Sequence, residues 1–291
     1  MIITKNASTA ENQQETNDDS NYYISGFCAG EMSCSVIKQT RNYGSGFSYS
    51  PDFTVTNADI DLLKQINLSL GQGKGVISKV KGAYNLSFRG NRKVKSILCF
   101  FARYPIIVGR LANSRLSLLE EACAVLNQKK GSTKRLRSEV RQIEQIRSRF
   151  REIKTQGNDA IIEIPPSNNS SRRAIGFFLS GVFDADGSIG LRKRDKTYQP
   201  FLAVAMKDKE IPFLFQSFFN FGHIYERSRS HIYHFETGKR ADVYAALQTF
   251  MFQFPSRQSL KKKKLEKLYR ILNDYTHNAT YLPIYYDGEL W

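Results

Sequence analysis

One stretch of this chain occurs twice. Tyr22–Ser35 reads YYISGFCAGEMSCS and Phe177–Ile189 reads FFLSGVFDADGSI. Both share the frame apolar-Ser-Gly-apolar-x-x-small-acid, which sets Glu31 against Asp186. Downstream landmarks recur at an offset of about 150 residues, as two copies of one unit require. Phe53–Asp59 matches Leu202–Asp208, Phe88 matches Phe235, and Tyr104-Pro105 matches Phe254-Pro255. The offset drifts by a few residues, as loops of different length produce. The largest change falls on the Gly-rich stretch Asn42–Gly46, where a hairpin loop belongs. A duplication of this kind confines the fold to two similar halves.

Each half parses alike. A short apolar helix carries the repeated segment. In the first half, strands follow over Ser33–Arg41 and Phe47–Thr56. The second alternates strictly: Phe47, Tyr49, Pro51, Phe53 and Val55 on one side, Ser48, Ser50, Asp52, Thr54 and Thr56 on the other. A helix over Ala58–Leu70 precedes Gly71-Gln-Gly-Lys-Gly75, which lacks a phosphate-loop frame and reads as a turn. Strands over Val76–Val80 and Tyr84–Arg89 come next, then a helix over Arg92–Arg103 that stops before Pro105. The second half gives strands over Ser188–Arg194, Gln199–Lys207, His223–Arg229 and His231–Thr237. On that last strand His231 and His234, an odd number apart, face opposite sides and make no metal pair. The fold class is α+β, two αββαββα units with the repeated helices packed at the centre.

The domain reading is a flexible N-terminus over 1–21, a first repeat with extra helices (Ser114–Gln128 and Thr133–Lys154) over 22–154, a linker over 155–171, a second repeat over 172–275 and a tail over 276–291. Pro165-Pro166 and a Ser/Asn cluster mark the linker, and Ser170 or Ser171 is a natural N-cap for the helix that follows.

Composition narrows the partner. With 43 Lys and Arg against 27 Asp and Glu, the net charge of +16 asks for an anionic surface, nucleic acid before membrane. No run approaches the ~18 apolar residues that cross a bilayer, and the polar first twenty residues lack a secretory signal. The cysteines (Cys28, Cys34, Cys99, Cys123) have no CxxC spacing and read as reduced thiols, not a zinc site or disulfide framework. The expected setting is intracellular, in a mitochondrion, a chloroplast, or a bacterial or archaeal cytoplasm.

The two repeated helices carry the chemistry. Gly26 and Gly30 share one helix face, as do Gly181 and Ala185, and small residues four apart let two helix backbones approach closely. The remaining positions are apolar nearly all round, as for helices buried at the centre of a molecule. Each helix ends in an acid, so crossing them brings Glu31 and Asp186 together at two negative dipole ends. Two such carboxylates cannot both ionise unless one is protonated or a cation joins them. Oxygen ligands alone favour Mg²⁺, with Mn²⁺ or Ca²⁺ as substitutes.

Leu179-Ser-Gly-Val-Phe-Asp-Ala-Asp-Gly187 closely resembles the LAGLIDADG motif, and Ile24-Ser-Gly-Phe-Cys-Ala-Gly-Glu-Met32 is a more divergent copy. Over Tyr22–Asn273 the chain resembles a single-chain, two-motif LAGLIDADG homing endonuclease. The resemblance implies a saddle whose two four-stranded antiparallel sheets lie in the DNA major groove. It also implies that Glu31 and Asp186, at the eighth motif position, hold catalytic metal. Asn57, Arg110 and Lys261 match the polar and basic residues that position water and the scissile phosphate. Ala29 stands where the second copy has Asp184, which suggests a lost helix-end contact. Met32 replaces Gly187, where glycine would relieve special backbone angles.

With duplex DNA as the partner, the polar sheet face offers hydrogen-bonding groups for base edges. In the first sheet these are Ser35, Ile37, Gln39 and Arg41, then Ser48, Ser50, Asp52, Thr54 and Thr56, then Asn85, Ser87 and Arg89. In the second they are Arg192, Arg194, Arg227, Arg229 and His234. The expected activity is Mg²⁺-dependent, site-specific double-strand DNA cleavage by a monomer at a long, asymmetric target, encoded within an intron and serving its homing. The alternatives are an RNA maturase acting on intron RNA, or a DNA-binding derivative without cleavage.

Overall fold

The computed structural model describes residues 19–40, 47–127, 135–156, 171–194, 197–227 and 231–278. In chain order the first repeat comprises α1 (Tyr22–Glu31), β1 (Met32–Thr40), β2 (Phe47–Asn57), α2 (Ile60–Gly71), β3 (Val76–Val80), β4 (Ala83–Arg89) and α3 (Asn91–Arg103). Two further helices follow, α4 (Arg110–Asn127) and α5 (Arg137–Gln156). The second repeat comprises α6 (Arg172–Asp186), β5 (Gly187–Arg194), β6 (Thr197–Met206), α7 (Glu210–Phe219), β7 (His223–Arg227), β8 (Ile232–Thr237) and α8 (Arg240–Gln248). A π-helical turn over Thr249–Gln253 and the helix α9 (Ser259–Asn278) complete it.

The sheets run β1-β2-β4-β3 and β5-β6-β8-β7, antiparallel throughout, the same order in both halves. Alternation sends Phe53, Val55, Leu86 and Phe88 inward in the first sheet, and Leu202, Val204 and Phe235 in the second. These side chains meet the two motif helices in one core that spans both repeats. A smaller cluster joins Val36 to Leu118, Val125, Ile143 and Ile146 and fastens α4 and α5 to the β1 side. There Glu144 accepts from Lys38 (2.7 Å) and from the Tyr49 hydroxyl (2.7 Å), which hold its carboxyl down to about 2.

Some helix starts are capped by side chains. Ser171 Oγ accepts from the Ala174 amide (3.0 Å) at the start of α6. Asp59 caps α2 through the Asp61 and Leu62 amides and reaches across to α9, accepting from the amide (2.8 Å) and hydroxyl (2.6 Å) of Ser259. Asp208, its counterpart in the second repeat, accepts from the Leu111 amide (2.7 Å) and the Ala112 amide (3.3 Å). Each repeat therefore caps a helix that follows the other repeat's last sheet. The cap explains why α4 starts at Arg110, four residues before its sequence-predicted start at Ser114.

Two expectations are corrected. Met32 (φ −78°) and Gly187 (φ −74°) are both ordinary extended backbone, so no special angle calls for glycine. Space does: a Cβ on Gly187 would fall 2.2 Å from the Phe183 ring, whereas Met32 is buried in the core of its own repeat. His231 is not on a strand. It sits at φ 48° in the turn before β8 and pairs with Glu226 at 3.0 Å.

Candidate metal and nucleic-acid site

The motif helices cross backbone to backbone. A Cβ on Gly26 would lie 1.9 Å from the carbonyl oxygen of Phe178, and one on Gly181 would lie 1.9 Å from that of Tyr23. The two contacts are related by the internal symmetry, since Tyr23 corresponds to Phe178 as Gly26 does to Gly181. At the far end, a Cβ on Gly30 would stand 2.6 Å from Ala185 Cβ and 2.7 Å from Asp186 Oδ2. All four small residues read from the sequence thus form the crossing, and the two terminal acids meet there.

Their proximity has an electrostatic cost. Burial, then the negative charge of Asp186, pushes the Glu31 carboxyl up to about 7. Burial raises Asp186 as well, against the pull of Lys261. The Lys261 ammonium donates to the carbonyls of Phe183 and Asp184 (3.0 Å) at the end of α6. Burial lowers it to about 8, although Asp184, Asp186 and Glu31 all favour its charged form. Asn57 joins from the end of β2: its Nδ2 donates to Glu31 Oε1 at 3.5 Å. Its Oδ1 accepts from the Asp59 amide (2.9 Å) and from Gln258 Nε2 (3.3 Å).

Two desolvated carboxylates side by side fit a hard divalent cation. Among the described residues no group of three or more His, Cys, Asp or Glu forms a metal cluster, so a protein-saturated zinc site does not match. Glu31 and Asp186 would supply two oxygen ligands and leave the remaining positions to water and phosphate oxygens.

Arg110 does not join this group. Its guanidinium pairs with Glu210 at 2.7 Å, at the start of α7. One turn further on α4, Arg115 Nη1 reaches the Met32 carbonyl (3.4 Å), where α1 gives way to β1. Arg115 is thus the basic side chain of α4 that touches the first motif's end, where the resemblance points to Arg110.

The sheets' outer faces extend from the acids. Cross-strand partners share a face, and in the first sheet Ser35 lies opposite Asp52, Ile37 opposite Ser50 and Gln39 opposite Ser48. Asp52, Thr54 and Thr56 lie in turn opposite Arg89, Ser87 and Asn85. The described members of the sequence-predicted set therefore share one continuous face. Asp52 is saturated within it, accepting from Thr54, Ser87 and Arg89.

In the second sheet Arg192, Arg227 and His234 share the outer face. A groove of about 380 Å³ runs there from Asp186 past Ser188, Phe201 and Arg227. His234 is covered, with the Tyr225 ring stacked on it at 4.8 Å and burial lowering its pKa. Arg41, Arg229 and the side chain of Arg194 lie outside the described residues.

Residues 24–115 match the family model described as LAGLIDADG endonuclease. Solved structures match over nearly the whole length. I-GzeII in complex with its DNA target superposes with a TM-score of 0.71 at 18% identity, covering 89% of this chain and 93% of that one. The chain carries the LAGLIDADG fold, twice over. I-SmaMI bound to uncleaved DNA target in the presence of calcium ions gives 0.71 at 18% identity, covering 89% of this chain and 94% of that one. I-CpaMI bound to uncleaved DNA gives 0.69 at 17%, with 88% and 93% covered. No curated protein sequence matches the chain.

The divergence of the first LAGLIDADG motif now has a structural meaning. Asp184 is fully buried and accepts from the Tyr23 hydroxyl (2.5 Å), the Ser256 hydroxyl, and the amides of Arg257 (2.6 Å) and Gln258 (2.9 Å). It ties the second motif helix to the first and to the loop leading into α9. Ala29 cannot do this, and the loop at the matching place, Ile106-Ile107-Val108, presents apolar side chains where the second copy has Ser256-Arg257-Gln258. The expected loss of a helix-end contact is what the structure contains.

Proposed function

We propose that this chain is a site-specific double-strand DNA endonuclease that binds Mg²⁺ between Glu31 and Asp186 and reads its target with the outer faces of the two sheets. The observation that carries the reading is the meeting of Glu31 and Asp186 at the motif-helix ends, from which β1 and β5 lead into the two sheets of a +16 chain. The matched structures of I-GzeII, I-SmaMI and I-CpaMI hold DNA, that of I-SmaMI with calcium ions. One polypeptide supplies both acids and both sheets, which supports action as a monomer on an asymmetric target.

The bound ion would supply Lewis-acid stabilisation of the charge that builds on the phosphate oxygens. The chain's own groups do the rest. Glu31 and Asp186 would hold the ion without acting as nucleophiles. Asn57 keeps Glu31 oriented by donating to Oε1. Lys261 places positive charge beside both acids and the phosphate they would face. The sheet faces fix where along the duplex this happens.

The test uses a supercoiled plasmid carrying a target selected from a random duplex library. Glu31→Gln and Asp186→Asn should each lower cleavage at least about 100-fold while binding in calcium is retained, as for removal of groups acting in the transition state. Full cleavage by either variant overturns the assignment.

A further inference from the structure

Arg192 stands on the outer face of the second sheet, in the groove that begins at Asp186. Its side chain is 44% exposed and held from two sides. Nη1 donates to Glu236 Oε1 at 2.8 Å, and the guanidinium lies over the Phe201 ring at 4.9 Å. Glu236 is itself fixed, because its other oxygen accepts from the Tyr225 hydroxyl at 2.9 Å. Around this unit the face is low: Gly190, Ala203 and Ala205 occupy neighbouring outward positions. The arginine is therefore raised and aimed before any ligand arrives.

A phosphate is a poor match for such a group. The Glu236 carboxylate neutralises the guanidinium and would repel a second anion beside it, so little of the counterion-release gain of a phosphate contact remains. The edge of guanine is different. It is neutral and offers two acceptors, O6 and N7, spaced for the fork of a guanidinium. With Nη1 spent on Glu236, the rest of the guanidinium still has donors for both.

We propose that Arg192, held by Glu236 and Tyr225, reads a guanine in the major groove of the half-site bound by the second repeat. This rests on the sheets being the DNA face. Position follows from the strand. Arg192 lies six residues along the chain from Asp186, about 20 Å at the ~3.3 Å rise of a strand. At ~3.4 Å per base pair the guanine falls within about six base pairs of the cut.

The experiment is selection from a randomised duplex library in magnesium, with wild type, Arg192→Ala, Arg192→Lys and Glu236→Ala. Wild type should enrich a site with a strong G:C preference at one position in that window. Arg192→Ala should reduce that preference about 5- to 100-fold and leave the other positions alone. Arg192→Lys should weaken it too, because it keeps the charge and loses the fork held by Glu236 and Phe201. It also serves if the alanine variant fails to fold. Glu236→Ala should weaken the same position. Loss of affinity for all sequences alike with a shallower salt dependence marks a phosphate contact and overturns the proposal. So does a Glu236→Ala effect at a different base pair. In either case the nuclease reading survives, whereas a library with no enriched site removes that reading as well.

Discussion

A Cβ on Gly26 would fall 1.9 Å from the carbonyl oxygen of Phe178, so at this crossing one helix backbone rests on the other with no side chain between. Neither helix can retreat without opening the core they share, since Phe27, Phe178 and Phe183 are fully buried around them. Gly26→Ala should destabilise the protein by about 3 kcal/mol or more, the upper range for overpacking, because the obstruction is backbone. Gly181→Ala should behave alike, its contact with Tyr23 being the mirror of the first. Chemical denaturation reads the loss, and a variant as stable as wild type would show that the crossing is looser than this.

Glu31 makes stability depend on pH. Its ordinary value is 4.5, and burial with Asp186 beside it raises it to about 7 in the metal-free fold. The folded state then binds the proton more tightly than the unfolded chain, so stability falls as pH rises from about 4.5 to about 7. Glu31→Gln removes the penalty. In EDTA at pH 8 the variant should be more stable by about 1–3 kcal/mol, allowing for the solvent that still reaches the group. At pH 4 the two proteins should melt together. Equal stability at both values sinks the argument.

What the sequence made legible was periodic or duplicated. Strict alternation in Phe47–Thr56 placed Ser48, Ser50, Asp52, Thr54 and Thr56 on the outer face, as the register with β1 and β4 bears out. The repeat placed Glu31 and Asp186 at equivalent helix ends, and small residues four apart indicated how the helices meet. The pairing of Arg110 with Glu210, the bond from Gln258 to Asn57 and the shielding of His234 by Tyr225 had no such signal. Two of these join residues of opposite repeats, and each depends on how finished elements come to rest against one another. A local pattern registers which face a residue takes, but not which long side chain from another element reaches it first.

Asp184 and Ala29 occupy equivalent places with opposite demands. Removing the Asp184 carboxylate leaves the Tyr23 and Ser256 hydroxyls and two amides without their buried acceptor. Asp184→Ala should therefore cost about 3 kcal/mol or more. Introducing the same acid into the first copy should not help. Ala29→Asp puts a carboxylate at a buried position where Phe178 and Ile106 stand in place of Tyr23 and Ser256, so both hydroxyl donors of the second copy are missing, and an under-partnered buried charge is costly. Both variants should melt below wild type. A stabilised Ala29→Asp protein would mean that the apolar loop is no adaptation to the missing acid.

Gln258 tests whether the site is assembled across the two repeats. Asn57 Oδ1 already accepts from the Asp59 amide, which can only donate, and the added bond from Gln258 Nε2 commits the other end of that amide group to Glu31. The Gln258 backbone is in turn fixed by Asp184. Gln258→Leu keeps the size of the side chain and removes its donor, so Asn57 holds Glu31 less firmly while the sheet faces are untouched. Loss of a group that orients a metal ligand typically weakens metal affinity by at least about tenfold. The magnesium concentration that half-activates cleavage should rise by about that factor, with affinity for the target in calcium unchanged and full rate recovered at saturating magnesium. An unchanged magnesium requirement would show that Glu31 is held by its own repeat alone.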